Sequence, residues 1–279
     1  MAIITISRGS LGLGAALAEK LAGALGYPCL GREVAREAAE KLGIEPELMR
    51  KKVEESPSLW ERMTAERTVY VVAMQALLSE RAVGGHLVYH GFSGHLLLRG
   101  MPALLKVRVI APMEVRVPLV MKELGLEERA AEAHIRKMDD VRARWTKFVF
   151  GVDWQDPALY DLVLNLGVIS LDSACEALAG IARSPEFAVD EAALGRLQDF
   201  ALASRIRLAL ATSPLTRTWN LEVAVEDRIA TLLGTLPNDP RYADSEKRFK
   251  KALTDMVLSI EGVSHVTLRV GTLSSAPVD

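Results

Sequence analysis

Ile3-Ile4-Thr5-Ile6 runs into Ser7-Arg8-Gly9-Ser10-Leu11-Gly12-Leu13-Gly14, and a helical pattern from Ala15 to Leu25 leaves that turn. A strand, a glycine-rich turn and a helix in this order aim main-chain N–H groups and the positive end of a helix at one point. An anion such as a phosphate is stabilised there. In the G-x-x-x-x-G-K-[ST] form of the turn, a lysine meets the β- and γ-phosphates and a hydroxyl meets Mg²⁺. Here Gly14 stands at the lysine position and the Ser/Thr hydroxyl is missing as well. Ser7, Arg8, Gly9, Ser10, Gly12 and Gly14 therefore read as a phosphate cradle without its ammonium group.

A second group of charges lies on the basic helical segment Arg129–Lys147. Arg136, Arg142, Arg144 and Lys147 could close over phosphates as a lid, or simply form a solvated helix face. Asp139 and Asp140 read as partners of these arginines rather than as Mg²⁺ ligands. Asp153 and Asp156, on either side of Trp154, read first as turn and cap residues and second as substrate contacts. His86 and His90, at the two ends of one expected strand, would lie about 13 Å apart and cannot share an ion. With His95 they are expected in core or turn roles, and no metal site is expected. Gly91-Phe92-Ser93-Gly94 has His95 where a G-x-S-x-G nucleophile turn needs glycine, which argues against a serine hydrolase.

Strands and helices alternate through the first part of the chain. Strands are expected at Ile3–Ile6, Tyr27–Leu30, His86–Gly91, Leu104–Ala111 and Leu162–Asn165. Helices are expected over 15–25, 32–42, 46–54, 59–81, 96–99, 113–124, 129–147 and 170–182. Such alternation implies a parallel sheet covered on both faces, with ligands at the carboxyl ends of its strands. Beyond Ser184-Pro185 the pattern changes. A helix over 202–210 precedes a period-two strand Leu221–Glu226, a turn at Asp227-Arg228 and a hairpin partner Ile229–Leu236. A turn at 238–240, a helix over 243–260 and a strand over 263–270 follow. Three parts are thus expected: 1–183, a linker over 184–198, and a smaller α+β domain over 199–279.

A net charge of −2 over 279 residues, without a basic–aromatic stripe, argues against a nucleic-acid partner. Cys29 and Cys175 lie in apolar stretches far apart and read as free buried thiols. Trp60, Trp145, Trp154 and Trp219 read as packing anchors. No run approaches ~20 uninterrupted apolar residues, so no membrane span is expected. The first apolar run lacks a basic flank and reads as a strand rather than a secretory signal, so the expected location is cytoplasmic. An oligomer is possible through an apolar sheet edge.

Residues 1–183 resemble the cytidylate kinase-like family, a branch of the P-loop nucleoside monophosphate kinases. The resemblance rests on the first loop and on Ile135-Arg136-Lys137-Met138-Asp139, Arg142-x-Arg144, Gly151-x-Asp153-Trp154-x-Asp156-Pro157 and Tyr160-Asp161-Leu162-Val163-Leu164-Asn165. It implies a P-loop nucleoside-monophosphate-kinase-like sheet flanked by helices, with ATP and Mg²⁺ as co-substrates if the protein is active. It further implies ATP over Ser7–Gly14, a CMP-like acceptor near Arg32, Gly91, Ser93 and Asp153, and catalytic roles for Arg136, Arg142 and Arg144. The chain departs from the family pattern at Leu11 and Leu13, where glycines are usual. Gly91-Phe92-Ser93 stands for a Gly-Arg-Gly-like turn, and Gly31 stands for an aspartate. Residues 202–272 resemble a BON domain through Asn220–Val225, Thr231–Leu236 and Gly262–Val266, which implies an unknown small ligand or protein partner. The functional expectation is nucleotide binding with weak or altered phosphoryl transfer. The alternative is a pseudokinase acting as a nucleotide sensor or scaffold.

Overall fold

The computed structural model describes residues 2–9, 13–45, 64–91, 93–217, 219, 221–236 and 246–272. The helix expected over 46–54, Trp60, the turn at 238–240 and Ser10, Leu11 and Gly12 lie outside these. In chain order the described elements are β1 (Ile3–Arg8), α1 (Leu13–Leu25), β2 (Cys29–Leu30), α2 (Glu33–Lys41), α3 (Thr64–Ala82) and β3 (Leu87–Tyr89). There follow α4 (Gly94–Leu97), β4 (Leu104–Ile110), α5 (Met113–Leu124), α6 (Glu128–Phe150), β5 (Leu162–Asn165) and α7 (Leu171–Ala182). The last are α8 (Glu191–Thr212), β6 (Leu221–Glu226), β7 (Ile229–Leu236), α9 (Glu246–Leu258) and β8 (His265–Thr272).

The first five strands form one parallel sheet in the order β2-β3-β1-β4-β5. The apolar run of β1 occupies its centre and is buried on both faces, as a central parallel strand requires. Ile3 faces a core that includes Val34, Met74, Leu78 and Tyr89. Ile4 and Ile6 face the opposite core, built on Leu17, Leu21, Leu105, Val107 and Leu178. The alternation of β1 side chains thus divides the helices into two layers.

The second sheet is small and mixed, in the order β6-β7-β8, with β6 antiparallel and β8 parallel to β7. Asp227 and Arg228 form the two-residue hairpin turn with φ of 49° and 66°, the left-handed geometry that matches strand twist. Neither residue is glycine, and the Asp199 carboxylate stabilises the turn by accepting from both of their main-chain N–H groups at 2.8 and 3.0 Å. Leu202, Ile206, Leu210, Leu232, Leu253 and Val257 close a separate core between this sheet, α8 and α9.

The segment 184–198 differs from the expected linker. Pro185–Phe187 makes one 3₁₀ turn, and Asp190 caps α8 by accepting from the Ala193 N–H at 2.7 Å. The helix runs 22 residues and serves two cores. Leu197 enters the first core, whereas Leu202 and Ile206 enter that of the small sheet. Its Ala193-Leu197-Ala201 stripe has helical spacing, which the nearby Ser-Pro break obscured. An Arg205–Glu80 ion pair at 3.8 Å further joins α8 to α3. No described helix is long and apolar enough to cross a membrane.

Leu197→Ala is expected to lower unfolding free energy by about 2–5 kcal/mol in urea denaturation, because the side chain is fully buried. Leu194→Ala, on the same helix but 36% exposed, should remain within about 0.5 kcal/mol of the parent.

Candidate phosphate-binding site

The site lies at the carboxyl ends of β1, β3 and β4. Ser7 and Arg8 close β1 opposite Arg108 and Val109 of β4, while β3 ends at Tyr89 and passes into His90 and Gly91. Arg8 turns its side chain across the first turn of α1. A Cβ built on Gly14 would lie 2.5 Å from Arg8 Cδ and 2.7 Å from Arg8 Cβ, so the arginine stem fills that space. Arg8 Nε lies 3.5 Å from the His90 carbonyl oxygen, which it approaches as a donor.

Helix α6 reaches the same point. Ile135, Asp139, Arg142 and Thr146 share one face through the three- and four-residue steps of a helix. Arg142 Nη1 donates to the Arg8 carbonyl at 3.0 Å, and Asp139 accepts from Arg116 of α5 at 2.6 Å. Two cavities open here. One of about 160 Å³ is lined by Arg8, Gly9, Leu13, Gly14, Arg116 and Asp139 among others. The other, about 120 Å³, is lined by Ser7, Arg8, Arg32, His90, Gly91, Ser93, His95, Arg142, Thr146 and Trp154. Arg8 borders both.

Electrostatics give these cavities a sign. Burial pushes the Arg142 guanidinium down to about 10, and the charges of Arg8, Arg32 and Arg116 act in the same direction against Asp139. Burial, and then Arg32, likewise lowers the Arg8 pKa. Arg8 and Arg142 are like charges brought together in a poorly solvated place, with the exposed Arg32 at its rim, and an entering anion is attracted by all of them. The arrangement is suited to phosphate, whose oxygens match the planar fork of a guanidinium.

The expected site residues divide clearly. Ser7, Arg8, Gly9, Gly14, Arg32, Gly91, Ser93 and Arg142 all line one cavity or the other. Arg136 and Arg144 lie on the outer face of α6, where they pair with Glu132 and Asp140 four residues earlier. Arg144 is two residues beyond Arg142 and so points about 200° around the helix from it. Asp153 is exposed and accepts from the Gln155 N–H, and Asp156 caps the following 3₁₀ turn. Gly31 abuts the His90 ring, which lies 2.7 Å from where a Cβ would stand, so an aspartate there would need that ring to move. His86 is held by Gly84 and packs on Tyr27, away from His90. No group of three potential metal ligands occurs among the described residues.

A model of the cytidylate kinase-like family matches residues 3–168, which span the whole parallel sheet. The chain belongs to that family. Over 133 residues it is 29% identical to a cytidylate kinase of Methanopyrus kandleri, in an alignment covering 48% of this chain and 67% of that protein. An uncharacterized protein from Eubacterium ventriosum, of known crystal structure, superposes with a TM-score of 0.52 at 18% identity. That superposition covers 66% of this chain and 99% of the other, and shows a shared fold.

Several wall residues of this cytidylate kinase-like site were not expected from sequence. Arg116 follows a strand end and the helix-starting Pro112, a position that itself marks the carboxyl edge of a parallel sheet. Arg108 lies over the Trp154 ring at 4.8 Å and donates to the Gln155 carbonyl at 2.5 Å. Behind the wall, Tyr160 donates to the Trp154 carbonyl at 2.8 Å, and its ring lies tilted against that of His95 with centroids 4.6 Å apart. Their types were readable, but nothing local placed them together.

His95 is 3% exposed and neither ring nitrogen has a partner among the described residues. Burial, with Lys106 and Arg108 nearby, pushes its pKa down to about 4. The native ring is therefore neutral where an unfolded one, near 6.5, begins to take up a proton. Its contribution to stability is full above about pH 6.5 and is lost as pH falls toward about 4, on the order of 3 kcal/mol in all. Between about pH 7.5 and 4.5, urea denaturation should show a correspondingly smaller loss for His95→Gln than for the parent.

Proposed function

We propose that this protein binds ATP along Ser7–Gly14 and a nucleoside monophosphate against Arg32 and the His90–His95 turn, with phosphoryl transfer weak or altered. The carrying observation is the convergence of Arg8, Arg32 and Arg142 on the smaller cavity, which shares Arg8 with the larger one beside it. Phosphoryl transfer depends mostly on positioning and charge stabilisation, which such a cluster can supply. Arg142 and Arg8 would hold the transferred group, and Trp154 and His95 would exclude water from it.

The fit to Mg²⁺ is thinner. Among the described residues, Asp139 is the one carboxylate lining the larger cavity, and it is already paired with Arg116. Mg²⁺ between nucleotide phosphates usually takes one or two protein carboxylates or hydroxyls. This, with Gly14 at the lysine position, favours a second reading in which nucleotide is bound without turnover. In that reading the small mixed sheet with α8 and α9 acts as a BON-like module for a second ligand, and the protein works in the cytoplasm as a sensor or scaffold.

Coupled ADP release with ATP and CMP, dCMP, UMP or AMP tests transfer; signal at background with all four would leave the sensor reading. Thermal titration tests binding, since ligand at about 100 times Kd should add about 2.7 kcal/mol. No shift with ATP, CTP or CMP would sink both. Arg142→Lys is expected to weaken binding by about 10-fold or more, from the loss of a charge-assisted contact. Arg136→Ala and Arg144→Ala should leave it within about 2-fold, because exposed i,i+4 pairs contribute little.

A further inference from the structure

We infer that Arg8 supplies, from the end of a strand, the cation that a phosphate loop otherwise takes from a lysine in the following helix, and that Gly14 is glycine to admit it. The inference rests on the phosphate reading of the site given above.

The argument begins with space. A Cβ on residue 14 would meet Arg8 Cδ at 2.5 Å, Cβ at 2.7 Å and Cγ at 3.1 Å. The first two distances are shorter than real Cβ atoms show, and Arg8 Cβ is fixed by the main chain of β1. A side chain at position 14 and the present course of Arg8 therefore exclude each other. The missing lysine and the arginine six residues earlier are two sides of one arrangement.

Placement gives the second part. Gly9 after β1 and Leu13 and Gly14 in the first turn of α1 line the larger cavity, and Arg8 borders that cavity and its neighbour. A group bound in one and transferred to the other would pass this guanidinium. The Arg8 main chain is itself held by Arg142, through the 3.0 Å bond to the Arg8 carbonyl, so the strand end cannot drift from α6. A ligand is also indicated independently. Both nitrogens of His95, which is 3% exposed, lack a partner among the described residues, on the wall of the smaller cavity.

Chemistry gives the third. An ammonium is a compact point charge on a mobile stem, whereas a guanidinium presents a planar fork that holds two oxygens at once. Replacing one by the other changes how firmly a phosphate is oriented, and not only whether it is attracted.

The test exchanges the two positions. Calorimetric titration with Mg²⁺-free ATP, and separately with tripolyphosphate, is run on the parent, Arg8→Met, Gly14→Lys and the double variant Arg8→Gly/Gly14→Lys. Arg8→Met keeps the stem over Gly14, so its melting temperature should stay near the parent's while affinity for both probes falls by about 10-fold or more. Gly14→Lys adds a cation yet should bind more weakly and melt lower than the parent. The double variant should recover affinity to within about 3-fold, since it restores one cation without the clash. Parent-like binding by Arg8→Met, or tighter binding by Gly14→Lys at an unchanged melting temperature, would overturn the inference and leave the phosphate reading standing. A parent that binds neither probe would overturn both.

Discussion

Positive charge gathered in a poorly solvated place is the constraint on which this molecule's site depends. Arg8 and Arg142 meet at the strand ends with the exposed Arg32 at the rim, and repulsion among the three lowers the pKa of Arg8 and Arg142 after burial has done so. Groups of one sign stay together in such a place only if the fold holds them there. Here the holding bond runs from Arg142 to the main chain of Arg8, and the Arg116–Asp139 pair fixes the neighbouring wall. An anion is the natural complement of what remains.

The parallel sheet makes this convergence possible. With β1 at its centre, the chain returns to the same edge after each crossover, so residues from β1, the β3–α4 turn, α5 and α6 meet although they are far apart in sequence. The two cores on either face keep β1 from shifting, since Ile3 and Ile4 are locked into opposite layers. The site inherits its rigidity from packing that has no chemistry of its own.

Helix α8 extends that rigidity beyond the parallel sheet. It packs in the first core at Leu197 and in the second at Ile206, and its Asp199 holds the β6–β7 turn. A continuous helix couples its two ends more firmly than a loop, whose residues carry greater conformational entropy. The C-terminal sheet is consequently built onto the family domain through a shared element.

Much of this was determined by sequence alone: the alternation of strands and helices, the extents of α5 and β5, the hairpin at Asp227-Arg228 and the succession of β1 and α1. Those features arise from short-range causes, namely side-chain period, turn geometry and helix termini. The division among the arginines was decided only by tertiary structure, because α6 presents Arg142 inward and Arg136 and Arg144 outward, and its rotation is set by packing against other elements. The course of Arg8 over Gly14, the joining of Arg116 to Asp139 and the enclosure of His95 are also long-range. Each depends on where a distant segment returns, which local periodicity does not encode.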